Sequence, residues 1–405
     1  MGCCFDLTRE VFRLKKQLIS LINKSRLVST VQDLVRIPSV NPPGNEKPVA
    51  EYLYQLLNKW GFEIDIINDP SPHRPQILAK LPGNGERPPL ILNGHMDVVP
   101  EGDHSQWTDH PFSGSLHNGR IYGRGSCDMK GGIGVALEVA RVIQLSELEL
   151  NGDLVLAFAI GEETGEPGTR SILEHSGYRD GFGIVLEPTD FKVGVAEKGL
   201  AWFRVMIKGK PVHCSIAEKG INPIDKFLVF GKEVKEHDKN IRKRIHPKCG
   251  PAKCTMTMIN AGTKENVVPE SLSVILDRRI NPDETAKAVQ AEIEKILTKL
   301  SASDPDFSFS VELVRLYESA EIPSSLPEIE SLCEEVEAVT GKKAKIWGTP
   351  FSTDVRNFIN DVNIPAVTFG PGEVDQAHTF DESIRIEDLF NAVQVVLGVA
   401  ANLIL

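Results

Sequence analysis

At five places in this chain an acidic or imidazole side chain is delivered beside an apolar, strand-like run. They are LILNGHMD with His95 and Asp97, GRGSCDMKGG with Asp128, LVLAFAIGEE with Glu162 and Glu163, GIVLEPTD with Glu187, and AVTFGPGEVDQAHTFDE with His378. In an open α/β sheet, ligands gather in the crevice beyond the carboxyl ends of the strands. Five such deposits predict one pocket lined by two imidazoles and several carboxylates. That is a metal site, with capacity for two ions.

Each residue type suits that chemistry for a stated reason. His95 and Asp97 form an H-x-D pair on an extended segment, so both side chains point to the same side. One can bind a metal while the other orients the imidazole through its second nitrogen; taken alone, the pair also fits a polar strand end. Asp128 precedes MKGG and a long helix, where a lone Asp can serve simply as a cap. Here it follows a Gly-rich turn that brings the backbone close to something bound. The string G-R-G-S-C-D lacks the third glycine of a dinucleotide fingerprint, which excludes that reading.

Glu162 and Glu163 are the most telling pair. Adjacent carboxylates at the end of an apolar strand repel each other and lose solvation, so a cation must offset them. Successive side chains diverge, which lets one glutamate hold a metal while its neighbour faces substrate as a general base. Glu187 and His378 supply the remaining ligand capacity. The mix of nitrogen and carboxylate donors suits Zn²⁺, with Co²⁺ or Mn²⁺ as substitutes.

Apolar strands alternating with helices must position these groups. From Phe5 to Ile37 the spacing is helical; IPSVNPPGNE breaks it, and a helix resumes over Glu46–Trp60. FEIDII, QILAKL, LILNG, LVLAFAI and GIVLE then alternate with helices over Met129–Leu145 and Thr169–His175. This reads as α/β, a mostly parallel twisted sheet covered by helices on both faces. Near residue 198 the rhythm changes to βαββαβ, the ferredoxin-like order of a small independent α+β sheet. From about Ser319 the first rhythm returns, with helices expected over Pro327–Thr340, Val355–Ile359 and from Glu387. The expected organisation is a catalytic α/β domain over 1–198 and 316–405, interrupted by an inserted lid or dimerisation domain over 199–315.

Composition removes several function classes. The 405 residues carry a net charge of −11, which argues against nucleic acid. The one basic cluster, Lys239–Lys248, is short and lacks aromatic residues to stack bases. Seven cysteines without framework spacing read as reduced thiols in a cytoplasmic protein. No apolar run approaches a membrane span, and Lys15 and Lys16 interrupt any secretory core. MGCC has Asp6 where a myristoylation signal needs Ser or Thr.

The motifs GHMDVVP, GRGSCDMKGG, GEETG and LEPTD, in that order, resemble the co-catalytic metallopeptidase and deacylase family of acetylornithine deacetylase, succinyl-diaminopimelate desuccinylase, aminoacylase and carboxypeptidase G. The resemblance runs from about residue 30 to the C-terminus. It implies a dinuclear zinc amidohydrolase in which one metal takes His95, Asp128 and Glu187. The other metal takes Asp128, Glu163 and His378, so that Asp128 bridges. Glu162 is then the general base that activates a metal-bound water, and Asp97 orients His95. By the same resemblance His213 in GKPVHCS meets the scissile carbonyl, usually across a dimer interface, and stabilises the oxyanion. Asn266, Arg279 and Arg356 match the groups that hold a substrate carboxylate, with Arg278 the alternative to Arg279. Cys214 stands where most relatives have a small residue, with no chemical consequence expected.

The expected activity is hydrolysis of the amide bond in N-acyl amino acids by a homodimer, with a carboxypeptidase or dipeptidase acting on short peptides as the alternative. A binding protein without turnover on this scaffold would lack the base or a ligand, and all of those residues are present. A structural metal site would close each ion with four protein ligands, whereas a shared Asp128 leaves three.

Overall fold

The computed structural model describes residues 13–405. The MGCC segment and the helical pattern before residue 13 lie outside the described residues. The described chain forms two compact units. The first holds the residues up to Val195 together with Ile322–Trp347 and Thr353–Leu405, and the second holds Ala196–Glu321 with Gly348–Ser352.

In the first unit, helical residues 13–20 end before α1 (Lys24–Arg36) begins. The single helix expected from Phe5 to Ile37 is therefore broken. The reason is local: the Asn23 side chain caps α1 by accepting the Arg26 main-chain N–H. Next come α2 (Lys47–Trp60), β1 (Glu63–Ile67), β2 (Gln76–Leu81), β3 (Leu90–His95), α3 (Lys130–Leu145), β4 (Leu154–Ala159), α4 (Gly168–Ser176), β5 (Phe182–Val185) and β6 (Val193–Glu197). The sheet order is β1-β2-β4-β3-β5, followed by the late strand Ala366–Thr368 and then β6. The four central strands β4, β3, β5 and Ala366–Thr368 are parallel, and β1, β2 and β6 run antiparallel to their neighbours.

Strand alternation divides the core cleanly. Leu90, Leu92, Leu154, Leu156 and Phe158 pack into one apolar cluster with α1, α2 and α3. Ile91, Val155, Ala157 and Ala159 face the other way, against Ile172, Leu173 and Phe358. Two buried faces explain why β3 and β4 read as continuous apolar runs. The register sets the chemistry: His95 lies opposite Ala159, and Val185 pairs with both Asn93 and Thr368. The parallel strands therefore end at one edge, and the segments that follow them leave together.

The helix α7 (Pro327–Thr340) and the closing helix α8 (Ile386–Leu403) complete this unit. Two expectations need correction here. Instead of an α-helix over Val355–Ile359, a π-helical turn occupies Asn357–Asp361, tied by the Asn357 amide donating to Asp361. And α8, with a mean hydropathy of 1.3 over 18 residues, is long and apolar enough to cross a membrane by composition alone. Its apolar residues instead enter the core between α3 and α7. A helix apolar on nearly every side is what such a position demands.

The second unit contains β7 (Gly199–Lys208), α5 (Pro223–Ile241), β8 (Lys253–Ala261), β9 (Ser271–Ile280), α6 (Ala286–Ser303) and β10 (Ser308–Tyr317). Its antiparallel sheet has the order β8-β9-β7-β10, so the first strand pairs with the third and fourth. This is the split pairing of a ferredoxin-like fold. Phe203, Val205, Leu272, Val274 and Leu276 face Phe230, Val234, Val289 and Ile293 of the two helices.

Candidate metal centre

The strand ends bring the acidic and imidazole groups of the first unit together. His95 is the last residue of β3 and is 1% exposed. Its Nε2 lies 3.2 Å from Asp128 Oδ1 and 3.4 Å from Glu187 Oε1. His378 Nε2 lies 3.2 Å from Asp128 Oδ2 and 3.1 Å from Glu163 Oε2. Two trios result, His95–Asp128–Glu187 and Asp128–Glu163–His378, each with its ligand-capable atoms within 4.8 Å of one another. Asp128 turns one oxygen to each.

Local packing holds these positions. Where the chain leaves β5 toward Glu187, α3 packs closely on the strand exit: a Cβ at Gly132 would lie 2.1 Å from the Leu186 carbonyl oxygen. His378 sits in the left-handed region at φ 61, an uncommon conformation for a non-glycine residue and one that gathers at functional sites.

The charge balance fits divalent cations. Among the described residues, the ion-pair partners of Asp128, Glu163 and Glu187 are the two imidazoles. Glu163 Oε1 is buried with no hydrogen-bond partner, a costly state for a carboxylate oxygen. Burial and the neighbouring Asp128 push the Glu187 carboxyl up to about 8, and the same causes raise Glu163. Burial also works to raise Asp128, but hydrogen bonds from His378 and His95 outweigh it and hold this carboxyl low. Hydrogen bonds to Asp128 and Glu163 raise His378 to about 11. Burial opposes the charged form of His95, yet Glu187 and Asp128 raise its affinity for a proton well above the usual range. A pocket that binds protons so firmly is an excess of negative charge out of water, and hard or borderline cations answer it.

Glu162 belongs to neither trio. Burial first, then the charges of Asp354, Glu187 and Glu163, raise its carboxyl well above the ordinary range, against the opposing effect of His95. Asp97 divides its duties in an unexpected way. His95 Nδ1 lies 2.9 Å from the Asp97 main-chain oxygen but 3.7 Å from its carboxylate. The carboxylate instead accepts the main-chain N–H groups of Glu162 at 3.3 Å and Glu163 at 3.2 Å.

Arg356 also lies in the first unit, 7% exposed, with its guanidinium donating to the Thr353 carbonyl and 4.0 Å from Asp354. His213, Asn266 and Arg279 belong to the second unit. There His213 is exposed, with Nδ1 2.8 Å from Ser215 Oγ, and pairs through its backbone with Val267. The Asn266 carbonyl accepts the Cys214 N–H at 3.0 Å, so these two loops are neighbours. Arg278 is wholly buried and paired with Glu284, whereas Arg279 is partly exposed and paired with Asp277. Only Arg279 of the two presents a guanidinium at the surface of its unit.

Several residues escaped the sequence reading. Glu382 accepts the main-chain N–H groups of Cys127 and Asp128 and pairs with Arg124 at 2.6 Å. Asp354 accepts the Thr169 hydroxyl at 2.7 Å. Asn41 donates to Asp97 at 3.0 Å. The signal for Glu382 was its place four residues after His378; Asn41 carried no signal beyond its Pro-rich turn. The five cysteines among the described residues, Cys127, Cys214, Cys249, Cys254 and Cys333, are unpaired.

A family model described as peptidase family M20/M25/M40 matches residues 91–402. The chain is similar to the N-formyl-4-amino-5-aminomethyl-2-methylpyrimidine deformylase of Bacillus subtilis, 26% identical over 419 residues, covering 96% of this chain and 97% of that protein. It is also similar to a probable succinyl-diaminopimelate desuccinylase of Staphylococcus epidermidis, 27% identical over 406 residues, covering 93% and 97%. Among solved structures, its fold is similar to that of the M20 family metallo-carboxypeptidase Sso-CP2 from Sulfolobus solfataricus. The TM-score is 0.77 at 18% identity, covering 93% of this chain and 98% of that one.

Proposed function

This chain belongs to peptidase family M20/M25/M40, and from that premise we propose that it is a metal-dependent amidohydrolase acting on N-acyl amino acids. The observation that carries the reading is the pair of acid–imidazole trios sharing Asp128, with Glu162 beside them and in neither. His95, Asp128 and Glu187 would hold one ion and Asp128, Glu163 and His378 the other, with zinc the natural occupant and cobalt or manganese as substitutes. Two such cations would polarise the substrate carbonyl and make water nucleophilic at neutral pH.

The chain's own groups do the rest. Glu162 takes the proton from the attacking water and later delivers it to the leaving amine, a role suited to a carboxylate whose proton affinity is raised. Arg356 grips the substrate carboxylate with the planar two-point contact of a guanidinium; Asn266 and Arg279 are assigned to carboxylate binding as well. His213 donates to the developing oxyanion. By this reading the active form is a cytoplasmic homodimer.

The relatives' names support cleavage of an acyl amide. One relative is named a desuccinylase and the other a deformylase whose named substrate is an N-formyl aminomethylpyrimidine. A panel of acetylated and succinylated amino acids, the N-formyl pyrimidine and unblocked dipeptides, assayed with added Zn²⁺ or Co²⁺, tests the assignment. Acylated amino acids are expected to turn over fastest. Hydrolysis confined to dipeptides would replace this reading with a peptidase, and hydrolysis of the pyrimidine alone would remove the carboxylate grip.

A further inference from the structure

Three loops of the first unit meet behind Asp97 in a network that the hydrolytic scheme does not use. Asn41, 3% exposed, leaves the turn after α1 and places its Nδ2 3.0 Å from Asp97 Oδ2, 2.8 Å from Thr164 Oγ1 and 3.4 Å from Glu166 Oε1. The Thr164 hydroxyl donates to Glu166 Oε1 at 2.8 Å. Arg74 then closes the frame, donating from Nη1 to Glu166 Oε2 at 2.6 Å and from Nε to Glu46 Oε2 at 2.7 Å. The guanidinium has a space shaped for it: Gly44 has φ +92, and a Cβ there would lie 2.5 Å from Arg74 Cζ. Backbone bonds fix the base of the turn, with the Asn41 N–H donating to the Val98 carbonyl at 2.9 Å and the Val98 N–H to Ser39 at 3.0 Å.

The charges explain the residue types. Asp97, Glu166 and Glu46 bring three carboxylates close together, and Glu46 is fully buried. Arg74 answers two of them with a two-point fork. The third, Asp97, faces Glu166 across the Asn41 amide, a neutral donor that serves both. Asp97 in turn accepts the Glu162 and Glu163 main-chain N–H groups.

We propose that Asn41, Glu166 and Arg74 are positioning residues that hold the Asp97 carboxylate and, through its two main-chain bonds, set where Glu162 and Glu163 project. Its consequence for turnover rests on the hydrolase reading above, but the frame itself does not. Groups that orient ligands from behind typically change affinity or activity by about 10–100-fold when removed.

The test is hydrogen exchange on the full chain as purified, read over the peptide that contains the Glu162 and Glu163 amides, together with kcat and KM. Asn41→Asp has the size of the native side chain but removes the donor and adds a carboxylate between two others. It should accelerate exchange of that peptide at least as much as Asn41→Ala, leave peptides from α3 unchanged, and lower kcat by about 10–100-fold with little change in KM. A packing role makes the opposite forecast, because the isosteric Asp should then behave like Asn. Should Asn41→Asp fail to fold, Arg74→Lys keeps the charge without the fork and is expected to shift exchange in the same direction by a smaller factor. Wild-type exchange in these variants overturns the proposal, as does faster exchange with unaltered kcat. If the wild-type chain hydrolyses no acylated amino acid, the hydrolase reading fails while the exchange result still decides the frame.

Discussion

Glu382 Oε1 accepts the main-chain N–H of Asp128 at 3.0 Å across 254 residues of sequence. One buried carboxylate thus ties the segment bearing the shared aspartate to the loop bearing His378, while its other oxygen pairs with Arg124, 3% exposed. Removing it leaves the buried guanidinium, which also donates to the Thr379 carbonyl, without its carboxylate and strands two main-chain donors. Glu382→Ala is expected to cost about 3–5 kcal/mol of stability in urea unfolding and to weaken metal binding by about 10–100-fold. A loss of less than about 1 kcal/mol would mean that Arg124 finds solvent or another partner.

Glu162 stands outside both trios, so its removal separates chemistry from metal binding. Glu162→Ala and Glu162→Gln are each expected to lower kcat by about 10²–10⁴-fold with metal content unchanged by elemental analysis. Loss of metal alongside activity would make Glu162 a ligand rather than a base.

Metal dependence follows from the buried, unpartnered Glu163 Oε1 and the carboxylate excess around it. Exhaustive dialysis against a chelator is expected to abolish turnover, and titration with Zn²⁺ or Co²⁺ to restore it at two ions per chain. Full activity in the stripped protein would end the reading.

His213 is exposed within its own unit, as a group that serves a neighbouring chain would be. Mixing inactive His213→Ala and Glu162→Ala chains is expected to restore activity in heterodimers up to about a quarter of the wild-type level, since half of the chains pair as heterodimers and each of these has one intact site. No recovery after subunit exchange would mean that His213 acts within its own chain or not at all.

A pH effect on stability is expected from His237 of the second unit. Burial lowers its proton affinity, with Arg278 and Arg244 adding to that effect and Glu292 and Asp238 opposing it. The folded chain therefore binds fewer protons here than the unfolded chain just below the ordinary imidazole value of 6.5. Stability rises with pH wherever the unfolded state holds more protons. Acidification through that range should lower the unfolding midpoint, and His237→Gln should flatten the slope. An identical pH profile in the variant would clear His237.

The sequence was legible where one residue type has few other uses. Paired glutamates closing an apolar run, an H-x-D pair at a strand end and a histidine after a Gly-Pro-Gly turn point to a shared pocket from residue type and spacing alone. Alternating buried faces made the parallel strands readable as apolar runs, and the switch to βαββαβ marked the ferredoxin-like sheet. Local competition misled the reading elsewhere: Asn23 caps where a continuous helix was expected, and α8 is apolar because it is a core helix.

What the amino-acid order determined by itself is the chemical inventory and the period of each element, because both are carried by neighbours in the chain. What the tertiary structure decided is which oxygen meets which nitrogen. The division of Asp128 between two imidazoles, the turn of the Asp97 carboxylate toward the Glu162 and Glu163 backbone, and the clamp of Glu382 on Asp128 all join residues tens to hundreds of positions apart. Such contacts depend on strand register and buried charge balance, which no local pattern encodes.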